Sequence, residues 1–197
     1  MKSKEFEVPF RRFGEWMALA EEKEPGLANA VSMATVDEQG RPSLRMVLLK
    51  GWDETGFVFY TNLGSRKSRD LEGNHRVALL LYWKSLNRQI RIEGPVSLVD
   101  DQEADDYFKS RPREARIGAW ASRQSEVLDG WFKLEKAVAK YAAKFGIGEI
   151  PRPDFWSGYR LKPEAIEFWS QGKFRLHKRE LFTATPDNRW RVETLYP

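Results

Sequence analysis

Apolar and polar positions change their spacing several times along this chain, and each change marks a different kind of element. Residues 10–22 carry apolar side chains at helical spacing, and Pro25-Gly26 closes that run. From Ala28 the pattern turns β-like. Residues 28–36 read as a strand, Asp37-Glu38-Gln39-Gly40 as a turn, and residues 42–50 as the returning strand. A second turn over 52–56 leads into Phe57-Val58-Phe59-Tyr60-Thr61, which has the aromatic and β-branched composition of a half-buried strand. Strands over 76–83 and 87–99 follow, separated by Lys84-Ser85-Leu86. Links of hairpin length argue for an antiparallel sheet or barrel and against βαβ units.

The second half opens with helix. Asp100-Asp101-Gln102-Glu103 is a capping pattern before residues 104–110, and Pro112 is placed to open a short helix through Trp120. Leu128, Phe132, Leu134, Val138, Tyr141 and Phe145 recur at helical spacing, which predicts one long helix over 125–145, ended by Pro151 and Pro153. Strands are expected at 158–161, 166–169 and 174–184, the last turning over 185–188 into 190–195. The expected fold class is mainly β with helices (α+β): an N-terminal helical segment, 1–27, and a barrel-like domain, 28–197, wrapped by helices.

Composition narrows the chemistry. Eight Trp, twelve Phe and six Tyr supply many rings for a core or for a flat ligand. The absence of cysteine excludes a disulfide framework, a thiolate metal site and a cysteine nucleophile; with only His75 and His177 besides, no metal site is expected. Thirty-three basic residues against 29 acidic ones leave a formal charge of +4, too small and dispersed to imply a nucleic-acid partner. No apolar run approaches the roughly 18 residues of a membrane helix and no signal peptide opens the chain, so a soluble, cytoplasmic protein is expected. Glycine-rich nucleotide fingerprints and the GxSxG nucleophile elbow are absent.

Four candidate groups remain. After FVFYT, the turn Asn62-Leu63-Gly64-Ser65 leads into Arg66, Lys67 and Arg69, with Ser65 as a candidate N-cap. Such a helix start suits an anion, because unpaired backbone N–H groups and the helix dipole add to the side-chain charges; the alternative is a solvated basic turn balanced by Asp70 and Glu72. In Phe174–Leu181, FRLHKREL, strand alternation would place Arg175, His177 and Arg179 on one face, about 6–7 Å apart, and Leu176, Lys178 and Glu180 on the other. The alternative there is an edge strand guarded by cations. Arg45 and Lys50 bracket Met46-Val47-Leu48-Leu49 on opposite faces, and meet only through a bulge or the strand end. Tyr107 and Arg111 stand four residues apart on one helical face, and Gln124 and Ser125 follow in a loop. Many cations, many rings and few acids suit a flat phosphorylated cofactor acting on a phosphorylated substrate.

Taken in order, RMVLLK, FYTNLGSRK, RIGAWAS with QS, FWSGYRL, IEFW and FRLH resemble the pyridoxine (pyridoxamine) 5′-phosphate oxidase family from about Ala28 to Pro197. The resemblance implies an FMN-binding split β-barrel that works as a homodimer, with FMN at the subunit interface. It implies oxidation of pyridoxine or pyridoxamine 5′-phosphate to pyridoxal 5′-phosphate by O2, releasing hydrogen peroxide. Carried over by motif, the FMN set is Arg45, Met46, Val47, Leu48, Leu49 and Lys50, then Tyr60 and Thr61, with Arg66 and Lys67 near the ribityl phosphate. Gln89, Gln124, Ser125, Trp169 and Arg179 complete it. Lys50, Tyr107 and Arg111 would hold the substrate phosphate, beside Ala115, while Arg175, Leu176 and His177 would cover the pyridine ring, Arg175 and His177 being the catalytic pair. Two positions depart from the family pattern: Ala115 stands where Ser is common, and Lys178 where RLHDR has an acid. The rival readings are another flavin-dependent split-barrel reductase, a non-catalytic vitamin B6 phosphate carrier, and a basic nucleic-acid module.

Overall fold

Alternation along β1 (Ala30–Val36) buries Val31, Met33 and Thr35 and turns Ala30, Ser32 and Ala34 outward. The same period of two runs through β4 (Arg76–Trp83), where Val77, Leu79, Leu81 and Trp83 are buried. One-sided burial of this kind closes a sheet on itself. In the computed structural model, which describes residues 7–197, these strands join β2 (Pro42–Asp53), β3 (Gly56–Asn62), β5 (Arg88–Leu98) and β6 (Trp156–Leu161) in the order β4-β1-β2-β3-β6-β5. A further β4–β5 pairing closes the ring as a six-stranded antiparallel barrel. The strands β7 (Ala165–Ser170), β8 (Lys178–Ala184) and β9 (Trp190–Thr194) extend the sheet beyond β5. This is the split-barrel α+β architecture expected.

Strand β5 serves both parts. One edge pairs with β4; the other pairs with β7 over Arg88–Glu93 and with β6 over Val96–Leu98. The chain passes from β6 to β7 directly over Gly94, where an added Cβ would collide with the Lys162 carbonyl, so only glycine allows the two backbones to approach.

Among the described residues, five helices accompany the barrel. Helix α1 (Val8–Lys23) inserts Phe10, Phe13, Met17 and Ala20 into the main hydrophobic cluster, with the Phe13 ring 4.9 Å from that of Phe57. The first six residues of the expected 1–27 segment lie outside the described residues. Helix α2 (Arg66–Gly73) follows β3 with Ser65 at the N-cap position. Asp100 caps α3 (Asp101–Ser110), its carboxylate accepting from the Glu103 N–H at 2.7 Å. Pro112 precedes α4 (Arg113–Ala121), and α5 is Trp131–Phe145. Among the described residues no helix is long and apolar enough to cross a membrane.

Two expected elements differ. The helix expected over 125–145 begins only at Trp131, because Ser125 (φ 72°) and Gly130 (φ 92°) take left-handed backbone that a helix excludes. Leu128 therefore shares the periodicity without sharing the helix. The strand expected over 174–184 begins at Lys178. Before it, Lys173–Arg175 forms a 3-10 turn in which Phe174 (φ 56°) and Arg175 (φ 63°) are left-handed. The Leu176 N–H bonds the Lys173 carbonyl at 3.0 Å, and the His177 N–H bonds the Arg175 carbonyl at 2.9 Å. This tight fold presses Gly172 against the Leu176 carbonyl. Strand alternation thus does not apply to Arg175 and His177, and the single face expected for Arg175, His177 and Arg179 is not formed.

Candidate active site

Strand β2 supplies one wall of a cleft of about 770 Å³. Its even-numbered residues face outward, so Met46, Leu48 and Lys50 line the cleft with Val47, while Leu49 is buried in the core. The expected bulge exists: pairing with β3 slips between Leu49 and Gly51, which leaves Lys50 as the extra residue. It does not bring Arg45 across. The Arg45 guanidinium donates inward to the Thr35 hydroxyl at 2.6 Å and the Met33 carbonyl at 3.2 Å, and pairs with Asp70 at 3.5 Å. Thr35 in turn donates to Asp70 at 2.6 Å.

The turn from β3 into α2 forms the second wall. Ser65 stands at the N-cap, but its hydroxyl makes no cap; it accepts from the Lys67 ammonium at 2.9 Å, as does the Thr61 hydroxyl. Lys67 is only 7% exposed, and its two hydrogen-bond partners are neutral. Asp70, one turn further along α2, is already engaged by Thr35 and Arg45. Burial, and then the charge of Arg45, push the Lys67 pKa down to about 8. A buried cation without a carboxylate is costly unless an anion arrives to pair with it. Arg66, beside it, is exposed.

The cleft lining is also aromatic and again cationic. Tyr60 and Tyr107 stack at 3.9 Å between centroids, and the Trp156 ring lies nearly parallel to both. Burial, followed by the nearby Glu103 charge, pushes the Tyr60 phenol up to about 12. The Arg111 guanidinium lies 4.8 Å from the Trp156 centroid, with Nη1 buried and lacking a hydrogen-bond partner. Desolvation lowers its pKa. Ala115 offers a methyl group to the same wall, and Gln124 accepts from the Thr61 hydroxyl at 3.3 Å. The orphaned Arg111 Nη1 and the acid-free Lys67 are two cationic groups lining one cleft that also carries rings and aliphatic side chains, a lining that suits phosphate groups. FMN and a phosphorylated substrate together have that character.

The other expected site residues lie elsewhere on the chain. Register places Gln89 opposite Trp169, and Trp169 opposite Arg179, in one row across β5, β7 and β8. Arg179 forks onto Glu167, with Nε donating at 2.7 Å and Nη2 at 3.2 Å. The His177 ring sits 4.8 Å from Trp169, and its Nδ1 accepts from the Gly172 N–H at 3.3 Å. Arg175 and Leu176 are exposed on the 3-10 turn. None of these six residues lines the cleft, and Ser125 lies in a neighbouring hollow with Gln124. The expected set therefore falls into two groups on one chain. Sequence reasoning missed Trp156, which floors the cleft, and the engagement of Asp70 by Thr35; Trp156 stood within the FWSGYRL string.

Comparison with known proteins covers nearly the whole chain. The family model described as "Pyridoxamine 5'-phosphate oxidase" matches residues 19–170. A second, described as "Pyridoxine 5'-phosphate oxidase C-terminal dimerisation region", matches residues 156–197. The pyridoxine/pyridoxamine 5′-phosphate oxidase of Chelativorans sp. (strain BNC1) is 56% identical over 189 residues, covering 96% of this chain and 90% of its own. That of Brucella canis is 56% identical over 190 residues, covering 96% and 94%. Among solved structures, PhzG from Burkholderia lata 383, in complex with tetrahydrophenazine-1-carboxylic acid, superposes with a TM-score of 0.90 at 29% identity, covering 100% of this chain and 98% of its own. A pyridoxamine 5′-phosphate oxidase-related, FMN-binding protein from Nostoc punctiforme shares the fold, with a TM-score of 0.76 at 17% identity over 93% of this chain and 96% of its own.

Proposed function

The chain belongs to the pyridoxamine 5′-phosphate oxidase family, and from that premise we propose that it oxidises pyridoxine or pyridoxamine 5′-phosphate to pyridoxal 5′-phosphate in the cytoplasm, with FMN as cofactor, O2 as electron acceptor and hydrogen peroxide as co-product, the amine substrate also consuming water and releasing ammonia. The observation that carries this reading is the pair of cations without acids, Lys67 and Arg111, that line one aromatic cleft.

Lys67, Thr61 and Ser65, with the free N–H groups at the start of α2 and the exposed charge of Arg66, hold the FMN phosphate. Met46, Val47 and Leu48 give the isoalloxazine ring an apolar wall. Bound there, FMN would supply a two-electron acceptor for the hydride removed from the substrate C4′ carbon, with O2 as the final acceptor. Lys50, Tyr107 and Arg111 hold the substrate phosphate and so orient C4′. Ala115 withholds one neutral hydrogen bond, worth about 1 kcal/mol, which weakens affinity without removing activity.

Arg175 and His177 complete the site from a second copy of the chain, with Gln89, Trp169 and Arg179 beside them. The matched dimerisation region supports a homodimer. So does the outward face of β2 and β4, where Leu44, Met46 and Tyr82 are 70, 60 and 54% exposed and form an apolar surface suited to burial against a partner. Across that interface Arg175 lies over the pyridine ring as a planar cation, and His177 donates through Nε2, since its Nδ1 already accepts.

FMN titration across pH tests the cradle. Lys67 faces Arg45 from β2 and shares α2 with Arg66 and Asp70. With its free-state pKa near 8, it is cationic below that pH and neutral above it. Phosphate favours the cation, so FMN affinity is expected to be full at pH 7 and to fall above pH 8, by up to about tenfold per unit. Riboflavin affinity should stay flat. Equal pH dependence for both ligands, or riboflavin binding as tightly as FMN, would refute the cradle.

A further inference from the structure

In the link between α5 and β6, Arg152 commits every face of its guanidinium. Nε donates to Asp105 at 2.6 Å, Nη2 to Asp101 at 2.7 Å, and Nη1 to the Trp156 carbonyl at 2.9 Å. Asp101 and Asp105 stand one turn apart on α3, the helix that carries Tyr107 and leads into Arg111. Trp156 opens β6, and its ring lies nearly parallel to Tyr107, 6.1 Å away, and beneath the Arg111 guanidinium. One planar fork therefore joins the helix that carries Tyr107 and leads into Arg111 to the backbone of the residue whose ring lies against both.

Stability alone is a poor account of this arrangement. The side chain of Asp101 is 89% exposed and that of Asp105 44%, and ion pairs so open to water contribute little. The helix is also held independently. Arg160 donates to both carboxylate oxygens of Glu103 at 2.9 Å and to the Thr55 hydroxyl at 2.8 Å, pinning the first turn of α3 to the barrel. What Arg152 adds is a fixed separation. Its side chain is only 13% exposed, and a guanidinium holds three acceptors in one plane, which an ammonium does not.

We infer that Arg152 is a positioning residue for the substrate-phosphate end of the cleft, setting α3 against Trp156 so that Tyr107 and Arg111 point at the phosphate. It touches neither ligand. The inference rests on the function proposed above, in which that end of the cleft takes the substrate.

The test compares Arg152→Met and Arg152→Lys holoenzymes with the unaltered protein. Arg152→Met is expected to raise KM for pyridoxine 5′-phosphate about 10-fold, with kcat within about twofold and the FMN dissociation constant unchanged. Arg152→Lys should recover part of the loss, because an ammonium reaches some of the three acceptors. Binding of pyridoxal 5′-phosphate, measured by equilibrium dialysis, should rank the three proteins in the same order. An unaltered KM and unaltered binding in Arg152→Met would overturn the inference. So would a matched loss of FMN and substrate affinity alongside a lower melting temperature, which would mean general loosening. Absence of turnover in the unaltered protein would instead refute the proposed reaction, and the dialysis ranking would still decide the role of Arg152.

Discussion

Lys67→Met is expected to raise the dissociation constant for FMN about 10- to 150-fold and to leave riboflavin binding unchanged. Methionine fills a similar volume without the ammonium, so packing around Thr61 and Ser65 is kept and only the charge and its donors are lost. A hydrogen bond to a charged group contributes about 1.5–3 kcal/mol, and each 1.4 kcal/mol is tenfold in affinity. Lys67 should reach the upper part of that range, because it is buried and no carboxylate competes for it. Arg66→Ala should cost less, since its side chain is exposed and its charge is screened by solvent and salt. Lys67→Met should also lose the fall in FMN affinity above pH 8. Fluorescence titration with both flavins reads each point; a Lys67→Met protein with unaltered FMN affinity would move the phosphate to another part of the molecule.

The second large effect lies on the other group of residues. Arg175→Ala and His177→Ala are expected to keep FMN while lowering kcat/KM by about 10- to 1000-fold, with Arg175→Ala the more damaging. Loss of a planar cation over the ring removes both charge and stacking, whereas loss of His177 removes one donor. Lys178→Ala, at the first position of β8, should change little. Because neither Arg175 nor His177 lines the cleft of its own chain, a mixing experiment adds a sharper outcome. Co-expression of an Arg175→Ala chain with an Arg111→Ala chain should restore activity to roughly a quarter of the normal level, since in each two-fold mixed dimer one site carries both defects and the other none. No recovery in purified mixed dimers would mean that both residues serve the same chain's site.

The barrel was legible because its strands are half-buried and antiparallel. Val31, Met33 and Thr35 alternate with smaller outward residues, and the hairpin turns carry their own residue signals. Helix α3 was legible for a similar reason, since Asp100 both announces and makes its cap. The turn before β8 was not. Phe174 and Arg175 adopt left-handed backbone although neither residue favours it, and Arg175, His177 and Arg179 are spaced as a strand would space them. A tight local turn, closed by Leu176 N–H on the Lys173 carbonyl with Gly172 close against Leu176, replaces the strand that the spacing suggests.

The candidate site was legible in part. Arg66 and Lys67 stood out as a basic helix start, but their unequal burial depends on how α2 meets β3, which adjacent letters do not encode. Asp70 reads as a balancing acid in the sequence; in the fold it balances Arg45, not Lys67, because Thr35 on β1 holds it there. The residues alone did not show which of them fall into each group, although the resemblance implied a cofactor at a subunit interface. A linear pattern carries no record of which surfaces meet in an assembly.

Anaerobic mixing of the FMN-loaded protein with pyridoxine 5′-phosphate tests the central claim most directly. The visible flavin band is expected to bleach in a single turnover, pyridoxal 5′-phosphate to form in step with it, and O2, once admitted, to restore the band with one hydrogen peroxide per flavin. A flavin band that stays oxidised in the presence of saturating, demonstrably bound substrate would contradict that claim.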